Sequence, residues 1–140
     1  MKVFVCGSIA VDKGRRIKKV QMVLKKAGFQ IVDQLSGGLD YSNVSDFRGL
    51  RDLAIKITKR DLELVKECDA MVVLGDEASW GGGAELHTAK ELGKKIVLLS
   101  SKPVASPWPV ALSDCVVKDE GQLLQKLREL KEELKMSSKN

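Results

Sequence analysis

Two acids in this sequence stand where a solvated surface has no need of them. Leu50, Leu53, Ile57, Asp61, Leu64 and Cys68 succeed one another at intervals of 3, 4, 4, 3 and 4, so Asp61 interrupts the apolar stripe of a helix. A lone charge buried there costs on the order of several kcal/mol, so the carboxylate has to be paired, hydrogen-bonded or functional. Satisfaction by Lys59, Arg60 or a backbone amide is the bland alternative, as is a stripe end that reaches solvent. The second acid, Glu85, follows Gly81, Gly82, Gly83 and Ala84. Glycines let a backbone approach a ligand closely, and a first-turn position for Glu85 would favour its ionised form by about 0.3 to 1 kcal/mol. An ionised carboxylate at a crevice is a suitable nucleophile, although an ordinary acidic first-turn residue has the same local signature. Together the two acids fit glycoside cleavage, in which one carboxylate attacks the anomeric carbon and the other assists.

The elements that must position them alternate between short apolar runs and amphipathic stretches. Val3 to Cys6, Phe29 to Leu35, Asp69 to Gly75, Lys95 to Leu99 and Cys115 to Val117 read as strands. Lys13 to Ala27 reads as a helix with Ile17, Val20, Val23 and Leu24 on one face, stopped by Gly28. A long helix ends at Cys68 and starts anywhere from Ser45 to Leu50; Gly37-Gly38 is a loop. Asp76 to Gly83 is a glycine-rich turn before a helix from about Ala84 to Leu92. Ser101 to Ser113, with all three prolines and Trp108, reads as a long ordered loop, and Gly121 to Met136 as a terminal helix before a frayed tail from Ser137 to Asn140. Alternation of this kind predicts a flavodoxin-like (Rossmann-like) α/β domain over residues 1–136, a three-layer sandwich around a five-stranded parallel sheet of order 2-1-3-4-5. Ligands then bind beyond the carboxyl ends of strands one and three, where the order reverses, which places Gly7-Ser8 and the turn before Glu85 at one crevice.

Composition bounds the setting. At 140 residues, 44% hydrophobic and 31% charged, one domain with one substantial core is expected. Cys6, Cys68 and Cys115 are far apart beside apolar runs, with no CxxC pair or histidine cluster to suggest a metal; they read as reduced core thiols of a cytoplasmic protein. No run is long enough for a signal peptide or a membrane span. A net charge of +5 favours anionic partners without naming them. The basic face of the first helix lacks aromatic interleaving, which argues against nucleic acid. His87, the sole histidine, lies two positions past Glu85 and is expected to face away from it. Trp80 and Trp108 suit base stacking or a subunit interface.

From Val3 to about Leu99 the sequence resembles the nucleoside 2-deoxyribosyltransferase superfamily, most closely the 2′-deoxynucleoside 5′-monophosphate N-hydrolases. The resemblance rests on Phe4-Val5-Cys6-Gly7-Ser8-Ile9, on Arg60-Asp61-Leu62 followed by Cys68 to Val73, and on Ser79 to Leu86 leading to Ala89 and Gly93-Lys94. It implies a covalent glycosyl intermediate on Glu85, with Asp61 as orienter or proton relay and water or a second base resolving the intermediate. It further implies a substrate site built on Gly7, Ser8, Ile9, Ser79, Gly81 and Gly83, with Ser8 and Ser79 donating to a 5′-phosphate and no cofactor. A homodimer is implied too, with Ser106 the counterpart of a serine that reaches the phosphate from the partner. Two positions depart from the family pattern: Phe4 replaces a tyrosine, whose hydroxyl Tyr41 would have to supply, and Ala10 replaces an arginine, leaving Lys13, Arg15 or Arg16 as the cation. The rival expectations are a base-exchanging deoxyribosyltransferase, a lysine-decarboxylase-like phosphoribohydrolase, whose PGGxGTxxE pattern Trp80 to Glu85 does not meet, and a non-catalytic nucleotide-binding protein.

Overall fold

The strands and helices of a computed structural model, which describes residues 1–36 and 41–138, follow the apolar pattern closely. Strands β1 (Lys2–Cys6), β2 (Gln30–Ile31), β3 (Ala70–Leu74), β4 (Lys95–Leu99) and β5 (Cys115–Val117) form one sheet. Its order is β2-β1-β3-β4-β5 and every pairing is parallel. Helices α1 (Arg15–Lys26), α2 (Arg51–Glu67), α3 (Trp80–Glu91), α4 (Pro107–Leu112) and α5 (Glu120–Ser138) supply the crossovers and cover both faces. The loop expected at Gly37-Gly38 lies outside the described residues.

Alternation within each strand divides the core in two. Val3, Val5, Val72, Leu74 and Val97 pack against Ile17, Val20 and Leu24 of α1 and Leu123 and Leu127 of α5. Phe4, Cys6, Met71, Val73 and Ile96 face the other way, onto Val65 of α2 and Leu86 and Ala89 of α3. Successive side chains of a strand point to opposite faces, so Cys6 is committed to the α2 and α3 layer. That is the layer carrying both acids.

Several boundaries differ from the sequence reading for local reasons. The second strand is much shorter than Phe29 to Leu35, because Asp33 turns the chain by accepting from the Leu35 amide at 2.9 Å. The glycines Gly81 to Gly83 are not a loop: α3 begins at Trp80, where Ser79 caps it by accepting from the Gly82 amide at 3.0 Å. The expected loop from Ser101 to Ser113 contains α4, started by Ser106 as cap and Pro107 in the first position. The terminal helix continues through Ser138, two residues past Met136. No helix among the described residues is long and apolar enough to cross a membrane.

Candidate active site

Helices α2 and α3 each carry one acid inward. Along α2 the buried positions are Ile57, Asp61 and Val65, while Leu50 is exposed and Leu64 only partly covered, so the stripe turns slightly from its sequence register. Asp61 is 8% exposed and Glu85 7%. Asp61 forms none of the ion pairs found among the described residues; Tyr41 donates to its Oδ2 at 3.5 Å. The neighbouring Arg60 instead donates to the carbonyls of Gln34 and Ser36, tying α2 to the segment after β2. Tyr41, itself edge-on to Phe47 with centroids 5.9 Å apart, brings a hydroxyl to the pair that Phe4 lacks.

Burial controls the protons. It pushes Asp61 up to about 6, against the pull of Arg60 and the Tyr41 hydrogen bond. Glu85 is pushed higher, to about 8, first by burial and then by the charge of Asp61, with the Cys6 thiol opposing. The asymmetry follows from order: Asp61 ionises while Glu85 is still neutral, and Glu85 must then ionise beside an anion. The pair in the free protein therefore holds one proton from about pH 6 to about pH 8. This corrects the expectation of an ionised first-turn Glu85. The helix starts at Trp80, so Glu85 lies in its second turn, beyond the reach of the terminal dipole, and burial dominates.

Beside the pair opens a cavity of about 540 Å³ at the carboxyl ends of β1, β3 and β4. It is lined by Gly7, Gly75, Ser79, Gly82 and Gly83 and, from the stretch after β4, by Val104, Ser106, Trp108 and Pro109. Neither Asp61 nor Glu85 lines it. Cavity and acids meet at Cys6 and Gly82, both of which line the space while the Cys6 thiol touches Glu85 Oε1 at 3.4 Å. Ser106 thus joins the cavity of its own chain, as does Trp108, which is 69% exposed; Trp80 is 98% exposed at the start of α3. Ser8 is elsewhere, in a neighbouring pocket of about 40 Å³ with Asp12, Arg16, Asp76 and Glu77. Ile9 is buried in the core and Gly81 is exposed. His87 is exposed and faces Glu91 at 3.8 Å.

The N-termini of α1 and α3 differ. Lys13 and Gly14 adopt left-handed conformations that fold the Asp12 carboxylate back onto the amides of Gly14 and Arg16, so α1 is already capped by an anion. Arg16 lies 3.6 Å from Asp76, and its Nε is buried without a partner among the described residues. Asp76 also accepts from the Ser100 hydroxyl and the Ser101 amide, fixing the start of the loop that closes the cavity. On α3 the Ser79 oxygen accepts, which leaves its hydroxyl proton and the amides of Trp80 and Gly81 without partners among the described residues. This terminus is the one open to an anion. Sequence reasoning read Cys6 as a core thiol and gave Asp76 no role; strand parity placed Cys6, but nothing local placed Asp76.

The three glycines of α3 each weaken the helix by about 1 kcal/mol relative to alanine. Only Gly82 is sterically required: an added Cβ would lie 2.7 Å from Ser79 Oγ, whereas Gly81 and Gly83 face open space. Gly83→Ala is therefore expected to stabilise the chain by up to about 1 kcal/mol. Gly82→Ala should gain nothing, since displacing Ser79 forfeits a cap worth about 1 kcal/mol. Urea unfolding of both variants checks this, and an equal gain at both positions would mean that Ser79 does not cap α3.

Among the described residues no group of three or more His, Cys, Asp or Glu side chains is placed to hold a metal. No protein-family model matches the sequence, and no curated protein matches it. Solved structures do. A 2-deoxyribosyltransferase from Bacillus psychrosaccharolyticus is 18% identical over 89% of this chain and 90% of its own, with a TM-score of 0.70. The CMP N-glycosidase of Clostridium botulinum is 23% identical over 93% of this chain and 99% of its own, at a TM-score of 0.58. A conserved protein from Enterococcus faecalis is 18% identical over 92% and 98%, at 0.64. With its sheet order, helix layers and near-complete overlap, the chain shares the fold of that 2-deoxyribosyltransferase and that N-glycosidase.

Proposed function

We propose that the chain is an enzyme that hydrolyses the N-glycosidic bond of deoxynucleoside 5′-monophosphates, with Glu85 as nucleophile and Asp61 as proton carrier. The observation that carries this reading is the burial of Asp61 and Glu85, held by Tyr41 and Cys6, beside a cavity within the ~300–1,000 Å³ range of small-ligand sites. In the attacking state the shared proton sits on Asp61 and Glu85 is ionised. A Glu85 oxygen bonds to the anomeric carbon as the C–N bond breaks; the electron pair leaves with the base, which takes the proton from Asp61. Water then gives its hydroxyl to the carbon and its proton to Asp61, and the Glu85 carboxylate is released. A cationic, oxocarbenium-like sugar favours the ionised Glu85 that burial alone disfavours.

Ser79, the amides of Trp80 and Gly81, and Ser106 are the groups we assign to the phosphate, with Gly7 and Gly83 as backbone that lets the substrate approach. Ser8 and Ile9 complete the first loop; from its present pocket Ser8 would contact the phosphate only after rearrangement of Asp76 and Arg16. The same reading carries a reducing cytoplasmic setting, in keeping with three free cysteines, and a homodimer, which sedimentation at assay concentrations tests directly.

Free-base release is the test. Nucleotides are expected to be cleaved on the order of a hundredfold faster than their nucleosides, because charge-assisted hydrogen bonds contribute roughly 1.5 to 3 kcal/mol each. Ser79→Asp keeps a capping oxygen but sets a carboxylate against the phosphate, so it should abolish that preference. A wild type that prefers nucleosides, or a Ser79→Asp variant with the preference intact, contradicts the assignment. A new nucleotide formed when a free base is added would assign base exchange instead.

A further inference from the structure

The geometry points to Cys6 as a positioning residue for Glu85, its one thiol proton going to Glu85 Oε1 when that carboxylate is ionised and to the Gly82 carbonyl when it is not. The inference rests on the proposed role of Glu85 for its catalytic meaning, but not for its test. Cys6 Sγ lies 3.4 Å from Glu85 Oε1 and 3.4 Å from the Gly82 oxygen, and the side chain is fully buried. A thiol has a single proton, so the two acceptors compete for it. An ionised carboxylate is the stronger acceptor and takes the proton; a protonated or esterified Glu85 loses that advantage, and the carbonyl takes it back.

Among the described residues, the surroundings leave this role to the thiol. Facing Glu85 are Asp61 from α2, Tyr41 from the segment before α2, and Cys6 from β1. Asp61 repels the ionised carboxylate and Tyr41 donates to Asp61, so Cys6 is the donor found on Glu85 among the described residues. Burial and the adjacent acids hold the Cys6 thiol in its protonated form, which keeps it a donor. By holding Oε1, the thiol leaves Oε2 to attack. The fit is close as well, since a Cβ on Gly82 would come within 3.5 Å of the sulfur.

The S–H stretch of the free protein reads this directly, with the Cys6 band isolated by subtracting the spectrum of Cys6→Ser. The band should shift to lower frequency and broaden as Glu85 loses its proton, and should stay fixed with pH in Glu85→Gln. A band that ignores pH in the wild type, or that titrates unchanged in Glu85→Gln, overturns the assignment. Carbon-13 spectra of the Glu85 carboxyl give the second reading: Cys6→Ala should raise its midpoint by roughly 0.5 to 1 unit and Cys6→Ser should restore or lower it. Equal displacement by both variants would mean that the residue only fills space. Both measurements are made without substrate, so a thiol that follows Glu85 in a chain releasing no base would refute the hydrolase reading and leave this one standing.

Discussion

Glu85→Gln is expected to lower turnover by on the order of 10³ to 10⁶ while making the folded chain more stable above pH 8. The loss follows from covalent chemistry: an amide oxygen cannot form and release the glycosyl ester, and nucleophile replacements are among the most damaging substitutions known. The gain follows from linkage. The ordinary value of the Glu85 carboxyl, near 4.5, applies in the unfolded chain, and burial pushes it up to about 8 in the folded one, so the folded state binds its proton more tightly. Its contribution is full below about pH 4.5 and is lost as pH rises through about 8. Burial therefore costs the wild type a few kcal/mol at alkaline pH, and glutamine, neutral throughout, escapes that cost. Initial rates and urea unfolding at pH 6 and pH 9 check the two halves together. A variant that is folded and active, or one that is inactive because it is unfolded, would each contradict this account.

Asp61→Asn should be nearly as inactive, and the variant carrying both substitutions should be little worse than the worse single one. Groups that act as a unit lose their joint contribution once either is removed. The wild type should show a bell-shaped kcat/KM profile with limbs near pH 6 and pH 8, since only the singly protonated pair has both a nucleophile and an acid. Asparagine at position 61 removes the charge that helps raise Glu85, so the residual profile should keep a single acid limb lying below pH 8. Initial-rate profiles of the four proteins measure this. Multiplicative losses in the double variant would place the two acids in separate tasks.

Most of the fold was legible because its signals are local and mutually consistent. Apolar runs of four or five residues at β1, β3 and β4 and the stripe of α1 each specify one element, and their alternation leaves few topologies. The failures lay where side chains override propensity. Three successive glycines argue for a loop, yet Ser79 and the burial of Leu86 and Ala89 carry them into α3. Ser106-Pro107 was a readable helix start that the surrounding prolines obscured. Asp61 and Glu85 could be singled out from spacing, but their proton could not. It depends on contacts between residues 20 and 79 apart in sequence, Tyr41 with Asp61 and Cys6 with Glu85. The same distance in sequence hides how Asp76 joins Arg16 of α1 to the loop after β4.

The central claim is a covalent bond between the sugar and Glu85, and intact-protein mass with peptide mapping after a quenched single turnover tests it most directly. A deoxynucleoside 5′-monophosphate bearing fluorine at the 2′ carbon suits the purpose, because the electron-withdrawing substituent slows breakdown of the intermediate. The account predicts release of about one equivalent of base, a mass increase equal to one fluorinated deoxyribose 5-phosphate unit located on Glu85, and neither event in Glu85→Gln. Base release with no adduct, or an adduct on any other residue, would contradict it.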